Sequence, residues 1–128
     1  MNKSIIPNIK ISPKAHYEHQ HSNAHLNKFV HSYHIVIENQ SNEIVQLLSR
    51  HWYIVNALGE VREVQGLGVI GKQPVIGPGE RYEYDSWSPL DTPLGKMYGT
   101  FTMLSLSDEQ TFEVAIPEFA LNADHLSN

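Results

Sequence analysis

Hydrophobic and polar residues alternate along most of the chain, in short segments separated by clusters of glycine, proline and asparagine. The clearest segment is residues 29–38, where Phe29, Tyr33, Ile35 and Ile37 would share one face of an extended strand. β-Branched and aromatic residues are frequent in these segments, which favours strands over helices. The predicted strands are residues 5–11, 29–38, 44–55, 61–69, 81–87, 97–106 and 111–116.

This spacing predicts an all-β fold, a β-sandwich of about seven to eight strands, with a closed barrel as the alternative. We expect residues 39–42 to form a hairpin turn and residues 16–27 and 88–95 to form loops, because turn-forming and polar residues dominate there. Residues 117–128 are expected to form a tail.

The strand at residues 44–55 carries the most informative side chains. Alternation places Leu48, Trp52 and Ile54 on one face and Val45, Leu47, Tyr53 and Val55 on the other. Arg50 shares the face of Trp52, which we interpret as a core residue. Arg50 itself would either pair with Glu80 or Glu83 or hold a ligand anion.

Length and composition indicate one domain over residues 1–128, with an ordered core of about residues 5–121. The chain has no cysteine, which excludes disulfides, thiolate nucleophiles and cysteine zinc sites. Its formal net charge of −5 argues against nucleic acid as a partner, because phosphate backbones require a basic surface. Residues 1–10 lack the apolar core of a signal peptide, and no stretch is apolar enough to cross a bilayer. We therefore expect a cytoplasmic protein without membrane insertion.

Residues 66–71 read G-L-G-V-I-G, which is the glycine spacing of dinucleotide-binding motifs. That motif requires a helix directly after the glycines, because the helix N-terminus holds the pyrophosphate. Here the following residues include Pro74, Gly77, Pro78 and Gly79, which prevent a helix. The sequence therefore excludes a dinucleotide-binding fold.

Two interpretations of this glycine run remain. In the first, the glycines let the backbone turn or pass close to a neighbouring strand. In the second, consecutive N–H groups form a nest that binds phosphate or pyrophosphate. The candidate anion-binding residues are Gly66, Gly68, Gly71, Lys72 and Arg50.

Four of the eight histidines, His16, His19, His21 and His25, fall in one polar segment. Imidazole is a common ligand of zinc, cobalt, nickel and copper, so these four are candidate metal ligands. Their spacing matches no fixed metal-site pattern. A polar loop with a chance excess of histidine is the competing interpretation.

Signals of catalysis are sparse. The chain has no G-x-S-x-G nucleophile elbow, and no arrangement of its carboxylates indicates an acid–base pair. We identify no catalytic residue, expect no cofactor and do not expect an enzyme. A hydrolase or transferase acting on phosphates is the remaining enzymatic alternative.

Several segments in this order and spacing resemble the bacterial ApaG family. They are VQLLSRHW at 45–52, GLGVIGKQP at 66–74, PGERYEY at 78–84, TPLGKMYG at 92–99 and IPEFAL at 116–121. The resemblance covers nearly the whole chain and implies an immunoglobulin/fibronectin type III-like sandwich. It also implies an association with cobalt tolerance and magnesium efflux, without catalytic residues to transfer. A related domain in larger eukaryotic proteins, including some F-box proteins, looks like an interaction module.

Together these observations favour a non-enzymatic binding or protein-interaction domain with an unidentified protein partner. An exposed edge strand would also suit a homodimer. Tyr82, Tyr84, Trp87 and Tyr98 are candidates for an aromatic interaction patch, with burial in the core as the alternative. The alternative function is a regulator that binds phosphate, pyrophosphate or a divalent metal through the glycine run or the histidine-rich segment.

Overall fold

A computed structural model of the chain describes residues 6–123. It consists of β-strands that form two antiparallel sheets packed face to face, which confirms the predicted sandwich over the barrel. The strands are β1 (Ile9–Tyr17), β2 (Phe29–Asn39), β3 (Val45–Asn56), β4 (Val61–Leu67), β5 (Val75–Ile76), β6 (Arg81–Leu90), β7 (Leu94–Ser105) and β8 (Gln110–Asn122).

The order of the strands leaves one side of the sandwich closed and the other open. One sheet has the order β1-β2-β6, and the other has the order β4-β3-β7-β8, with the short β5 paired to the start of β3. Strands β1 and β8 contact each other on the closed side. Strands β4 and β6 are therefore the two sheet edges that face each other on the open side.

The core fills the space between the two sheets. In β2 the predicted inward face is confirmed, because Phe29, Tyr33, Ile35 and Ile37 are all buried. The facing sheet contributes Trp52 from β3 and Phe101 from β7, which are also buried. Alternation along these strands therefore produces one continuous apolar layer.

The predicted faces of β3 are wrong in their first half. A β-bulge between Leu47 and Ser49 shifts the register against β7 by one residue. As a result Val45 and Leu47 point into the core together with Trp52 and Ile54, and Leu48 is only half-buried. A one-residue shift exchanges the two faces of a strand, so strict alternation cannot hold across the bulge.

Several predicted connections are also revised. The turn at residues 39–42 is not a hairpin, because β2 and β3 belong to different sheets. It is stabilised by Asn39, whose Nδ2 donates to the carbonyl oxygens of Glu43 and Ile76 at 2.7 and 2.9 Å. The hairpin between β7 and β8 is confirmed.

The ends of several strands differ from the prediction. Strand β1 begins at Ile9 and continues through His16 and Tyr17, so the histidine-rich segment starts within a strand. The rest of that segment contains two 3-10 turns, His19–His21 and Ala24–Leu26. Strand β6 extends to Leu90, which shortens the predicted loop at 88–95.

The predicted tail is mostly strand as well. Strand β8 passes through Pro117 and ends at Asn122, opposite Leu94 of β7. Pro117 is tolerated because β8 is the edge of its sheet and its register against β7 shifts between Met97 and Gly99. Residue 5 of the first predicted strand and residues 124–128 of the predicted tail lie outside the described residues.

Candidate functional site

The glycine run forms the end of β4 and a tight turn. Gly66 lies in β4 opposite Arg50. Val69 and Lys72 exchange backbone hydrogen bonds of 2.8 and 3.0 Å, and the two residues between them, Ile70 and Gly71, have φ of 48° and 73°. Two successive positive φ angles define a type I′ turn, which suits a two-residue hairpin. The expected absence of a helix after the glycines is confirmed, because the chain continues into β5.

Most of the N–H groups that an anion-binding nest would use in this turn are engaged. The N–H groups of Val69 and Lys72 bond each other's carbonyl oxygens, and Gly68 N–H donates to Leu48 O at 2.8 Å. A donated N–H cannot also hold an anion at full strength. The geometry therefore favours the turn interpretation of the glycine run, and the exposed Lys72 directly follows the two central residues of the turn.

Arg50 lies against the glycine run, and its guanidinium occupies the space that a side chain at position 66 would take. A Cβ on Gly66 would be 2.8 Å from Arg50 Nη1. The same Nη1 donates to the carbonyl oxygens of Leu67 and Gly68 at 3.0 and 2.9 Å. The structure therefore brings Arg50 together with Gly66 and Gly68.

Neither of the predicted carboxylate partners of Arg50 is used. Glu80 accepts from Gly77 N–H at 2.7 Å, and Glu83 pairs with His34 and Arg81. Among the residues that the structure describes, no carboxylate lies within 4.0 Å of the Arg50 guanidinium. The interpretation that remains for Arg50 is the one in which it holds an anion or orders the backbone.

A second arginine, Arg62, lies on the same open side of the sandwich. Its Nη2 donates to Pro89 O at 2.7 Å and approaches Ser88 Oγ at 3.5 Å, so it joins the edges of the two sheets. Arg50 and Arg62 line one cavity of about 120 Å³, which we call the inter-sheet cleft. Its other polar or aromatic lining residues are Tyr33, Trp52, Ser86, Trp87 and Ser88.

The sequence pattern carried a signal for Arg62 that the prediction missed. In β4, Arg62, Val64 and Gly66 pair with inward-facing residues of β3, and Glu63 and Gln65 face outward. An arginine on the inward face of a strand needs a polar partner or a rim position, and this one has a rim position. The inward position of Arg62 identifies it as a residue of the site only once the fold shows that β4 is an edge strand.

Several aromatic side chains with polar atoms within and beside the inter-sheet cleft are buried, namely Tyr33, Trp52 and Tyr84. Burial raises the pKa of Tyr33, while a hydrogen bond to Ser86 and the charges of Arg50 and Arg62 act in the opposite direction. Burial also raises the pKa of Tyr84 strongly, so both phenols stay neutral at physiological pH. The Trp52 indole Nε1 and the Tyr84 hydroxyl are buried without a hydrogen-bond partner. Unsatisfied buried polar groups are uncommon in folded proteins.

The four candidate metal ligands are spread over three elements. His16 lies on β1, His19 and His21 lie in the first 3-10 turn, and His25 lies in the second. His21 instead stacks edge-on against Trp87 at 5.0 Å between ring centroids. Within residues 6–123 no group of three or more histidine, aspartate or glutamate side chains is arranged to hold a metal ion. Metal binding by these histidines stays a prediction.

The four aromatic residues proposed as one patch lie in different places. Tyr84 is buried and Tyr82 packs against the core, whereas Trp87 is 51% exposed on β6. Tyr98 lies on the other sheet, where it stacks on Tyr53 at 5.1 Å. The prediction of a single aromatic patch is therefore wrong, because successive residues of β6 point to opposite faces.

Comparison with known proteins gives a consistent result. Residues 19–105 match the ApaG domain family. The chain is 44% identical over 125 residues to the protein ApaG of Rhodospirillum centenum, covering 98% of this chain and 95% of the relative. The chain belongs to the ApaG family. It is also 44% identical over 122 residues to protein ApaG of Mesorhizobium japonicum, covering 95% of this chain and 93% of that relative.

A solved structure extends this ApaG relationship to the fold. A Bordetella pertussis protein solved under the name ApaA is 37% identical in sequence and superposes with a TM-score of 0.89. The match covers 93% of this chain and 96% of the Bordetella chain. The sandwich described above is therefore an ApaG fold. In this ApaG chain, no helix among residues 6–123 has the length and apolar character needed to cross a membrane.

One buried histidine outside these surfaces should contribute to the pH dependence of the stability of this ApaG domain. His31 is 1% exposed, and burial lowers its pKa, while hydrogen bonds with the backbone of Phe29 and Asn122 act in the opposite direction. The unfolded chain takes up a proton near pH 6.5, while the folded chain stays neutral to lower pH. Stability contributed by neutral His31 is thus present at pH 7.5 and lost as the pH falls through about 6.5. We expect His31→Leu to flatten the fall in unfolding free energy between pH 7.5 and 5.5, by up to about 1.4 kcal/mol per pH unit, in urea titrations.

His34 serves as a control, because its contribution to stability should change with pH in the opposite direction. Its ring lies between Asp85 Oδ1 and Glu83 Oε1, both at 2.8 Å, and these carboxylates raise its pKa. Stability from protonated His34 is fully present below about pH 6.5 and is lost as the pH rises through its higher folded pKa. His34→Gln should therefore cost more at pH 5.5 than at pH 8. Parallel pH curves for wild type and His31→Leu would contradict the assignment to His31.

Proposed function

We propose that this ApaG domain is a non-enzymatic protein-interaction domain that binds an extended segment of a partner along β4. Strand β4 is the edge of the larger sheet, on the open side of the sandwich. An edge strand presents unpaired backbone groups to which another strand can add, and this mode of recognition is common in peptide-binding domains. The free edge of β4 is the observation on which the proposal rests.

The register of β4 shows which backbone groups are free. Asn56 N–H donates to Glu60 O and Gly68 N–H donates to Leu48 O, and the pairing between them is continuous. Hydrogen-bonded pairs alternate along an antiparallel ladder, so the even-numbered residues of β4 bond to β3. The N–H groups that point away from β3 belong to Val61, Glu63, Gln65 and Leu67.

Exposed apolar side chains accompany this free edge. Leu67 is 76% exposed and Val61 is 55% exposed on β4, and Ile70 and Val75 follow on the glycine turn and β5. In strand addition the backbone bonds supply affinity and alternate side chains supply selectivity. The edge of β4 offers both, because its outward backbone groups and its exposed apolar residues run side by side.

The residues of β6, the other edge strand on the open side, support β4 as the strand to which a partner adds. Strand β6 has Pro89 near its end, and its outward-facing residues include Arg81, Glu83 and Asp85. Proline and charged residues are the means by which sheet edges avoid pairing with other strands. A partner strand is therefore expected on β4 rather than on β6.

The lining of the inter-sheet cleft supports a binding role over catalysis. Its ionisable lining residues are two arginines and one tyrosine, and no carboxylate or histidine lines it. General acid–base chemistry usually relies on histidine, aspartate or glutamate. We propose further that the association of the ApaG family with cobalt tolerance and magnesium efflux acts through the partner, in the cytoplasm, rather than through direct metal binding.

A proline at position 65 tests this function. The Gln65 N–H points away from β3, so Gln65→Pro should block strand addition while sparing the β3–β4 ladder. A photo-crosslinking amino acid at position 67 should capture a partner in cells, and Gln65→Pro should reduce that capture at least about fivefold, as expected for a lost backbone bond of about 1 kcal/mol. The readout is the yield of the crosslinked band, identified by mass spectrometry.

Gln65→Ala is the matched control, because it removes the same side-chain contact with His51 Nε2 at 3.3 Å and keeps the N–H. It should retain the crosslink. A crosslinker at position 85, on the outer face of the other sheet, should capture less. Equal capture by Gln65→Pro and Gln65→Ala would reject the β4 edge, and capture of a second copy of the chain would identify the partner as a homodimer mate.

A further inference from the structure

The two arginines of the inter-sheet cleft are not neutralised. Arg50 donates to two carbonyl oxygens of the glycine run, and Arg62 donates to Pro89 O. Each guanidinium has five N–H donors, so several donors on each remain. Across residues 6–123, neither arginine has a carboxylate within 4.0 Å. Two like charges that line one partly enclosed space favour binding of an anion.

The Trp52 indole N–H is a third hydrogen-bond donor in the inter-sheet cleft. Trp52 lines the cleft, is 2% exposed, and its indole N–H has no acceptor. A buried N–H without an acceptor is unfavourable, so an occupant that accepts from it would be favoured. The indole is independent evidence, because it takes no part in the contacts of either arginine.

We propose that the inter-sheet cleft binds a small phosphate oxyanion, held by Arg50 and Arg62 with the Trp52 indole N–H as a further donor. The cavity of about 120 Å³ accommodates one phosphate group, and the hydroxyls of Tyr33 and Ser86 lie in its lining. Phosphate oxygens accept bidentate bonds from guanidinium groups, and a donor-rich site without carboxylates repels cations. The proposal is separate from strand addition, which uses the outward backbone groups of β4 rather than its inward side chains.

The cleft suits an anion better than the glycine turn does. In the turn, the N–H groups of Gly68, Val69 and Lys72 are donated to carbonyl oxygens. In the cleft, the two guanidinium groups and the indole have N–H donors that no protein acceptor uses. The glycine run still contributes, because the absence of a side chain at Gly66 makes room for the Arg50 guanidinium.

NMR titration of the intact protein tests the site. The chain has two tryptophans, and the indole signal that disappears in a Trp87→Phe variant identifies the other wild-type signal as that of Trp52. At constant ionic strength, inorganic phosphate and pyrophosphate should each shift this signal saturably, and chloride should not. Comparison of the two titrations distinguishes a site for one phosphate group from a site for a diphosphate.

Arg62→Gln should weaken the apparent affinity about tenfold or more, as expected for the loss of one charge-assisted bond pair. Lys72→Gln is the matched control, since it removes one positive charge from the glycine turn and should leave the affinity unchanged. Arg62→Lys keeps the charge, loses the planar fork, and serves as a second variant if Arg62→Gln fails to fold. An intermediate affinity is expected for it.

Three results would overturn the proposal. The first is no saturable indole shift up to about 10 mM phosphate or pyrophosphate, where even a millimolar site would be mostly filled. The second is shifts confined to residues 70–72, which would move the anion to the glycine turn. The third is equal affinity in folded wild type and Arg62→Gln. None of these results bears on the crosslinking experiment, so the two proposals can fail separately.

Discussion

Replacing Trp52 with alanine is expected to lower the free energy of unfolding by about 3–5 kcal/mol, the range for large aromatic residues in cores. Trp52 joins the two sheets, because its ring packs edge-on against Tyr33 of β2 at 5.3 Å and against Phe101 of β7 at 6.4 Å. It also contacts Phe119 of β8 at 5.9 Å. Total stability is only about 5–15 kcal/mol, so the variant should be partly unfolded at 37 °C. Urea unfolding followed by circular dichroism measures the change.

Trp52→Phe separates packing from the indole N–H. Phenylalanine keeps an aromatic ring between the sheets and removes the N–H that lacks an acceptor, so the loss should be less than about half that of alanine. The same variant should weaken phosphate binding in the inter-sheet cleft. A loss below about 1 kcal/mol for Trp52→Ala would show that the sheets do not depend on this ring.

The sheet order could not be read from alternation, although most strands could. Residues of β2 that share a face in sequence also share it in the structure, because that strand is regular over Phe29–Asn39. In β3 the bulge between Leu47 and Ser49 exchanges the faces, and Leu48 contacts residues that are distant in sequence. Leu48 O accepts from Gly68 N–H in the glycine run and from Gln73 Nε2 just after the turn. A contact between segments distant in sequence leaves no periodic signal.

The length of β8 shows a second limit of prediction from the sequence. A proline within an apolar segment indicates the end of a strand, and the sequence predicts a strand that stops at Ile116, directly before Pro117. In the structure the edge position and the irregular register opposite Tyr98 accommodate Pro117. Whether a strand is central or at an edge decides the effect of a proline, and that property belongs to the whole sheet.

Some residues of the candidate site could likewise be predicted from the sequence, and others could not. Arg50 could be singled out because it shares a face with Trp52, and the glycine run could be separated from nucleotide-binding motifs because of Pro74. Arg62 could not be assigned, because its role depends on β4 facing β6 across the open side of the sandwich. The side chains that converge in the inter-sheet cleft come from five strands, β2, β3, β4, β6 and β7, whose adjacency appears only in the fold.

Gly68 is expected to be the most sensitive glycine of the run, with a loss of about 3 kcal/mol or more for Gly68→Ala. Its φ is +62°, a conformation that disfavours side chains. A Cβ there would also lie 2.2 Å from the backbone oxygen of Lys72, which is fixed by its bond to Val69 N–H. Backbone cannot move aside without opening the turn that leads to β5. Urea unfolding gives the loss, and a lowered midpoint with an unchanged slope is the expected form.

Gly71→Ala is the matched comparison, because it isolates the strain of positive φ from the steric clash. Gly71 has φ of +73°, but no atom lies within 4 Å of where its Cβ would be. It should therefore cost only about 1–2 kcal/mol, the price of the left-handed conformation alone. Equal losses at the two positions would mean that the close approach to Lys72 does not constrain the turn. A much larger loss at Gly68 would show that the second glycine of the run is required for the fold itself, so its effect on any ligand must be measured in variants that stay folded.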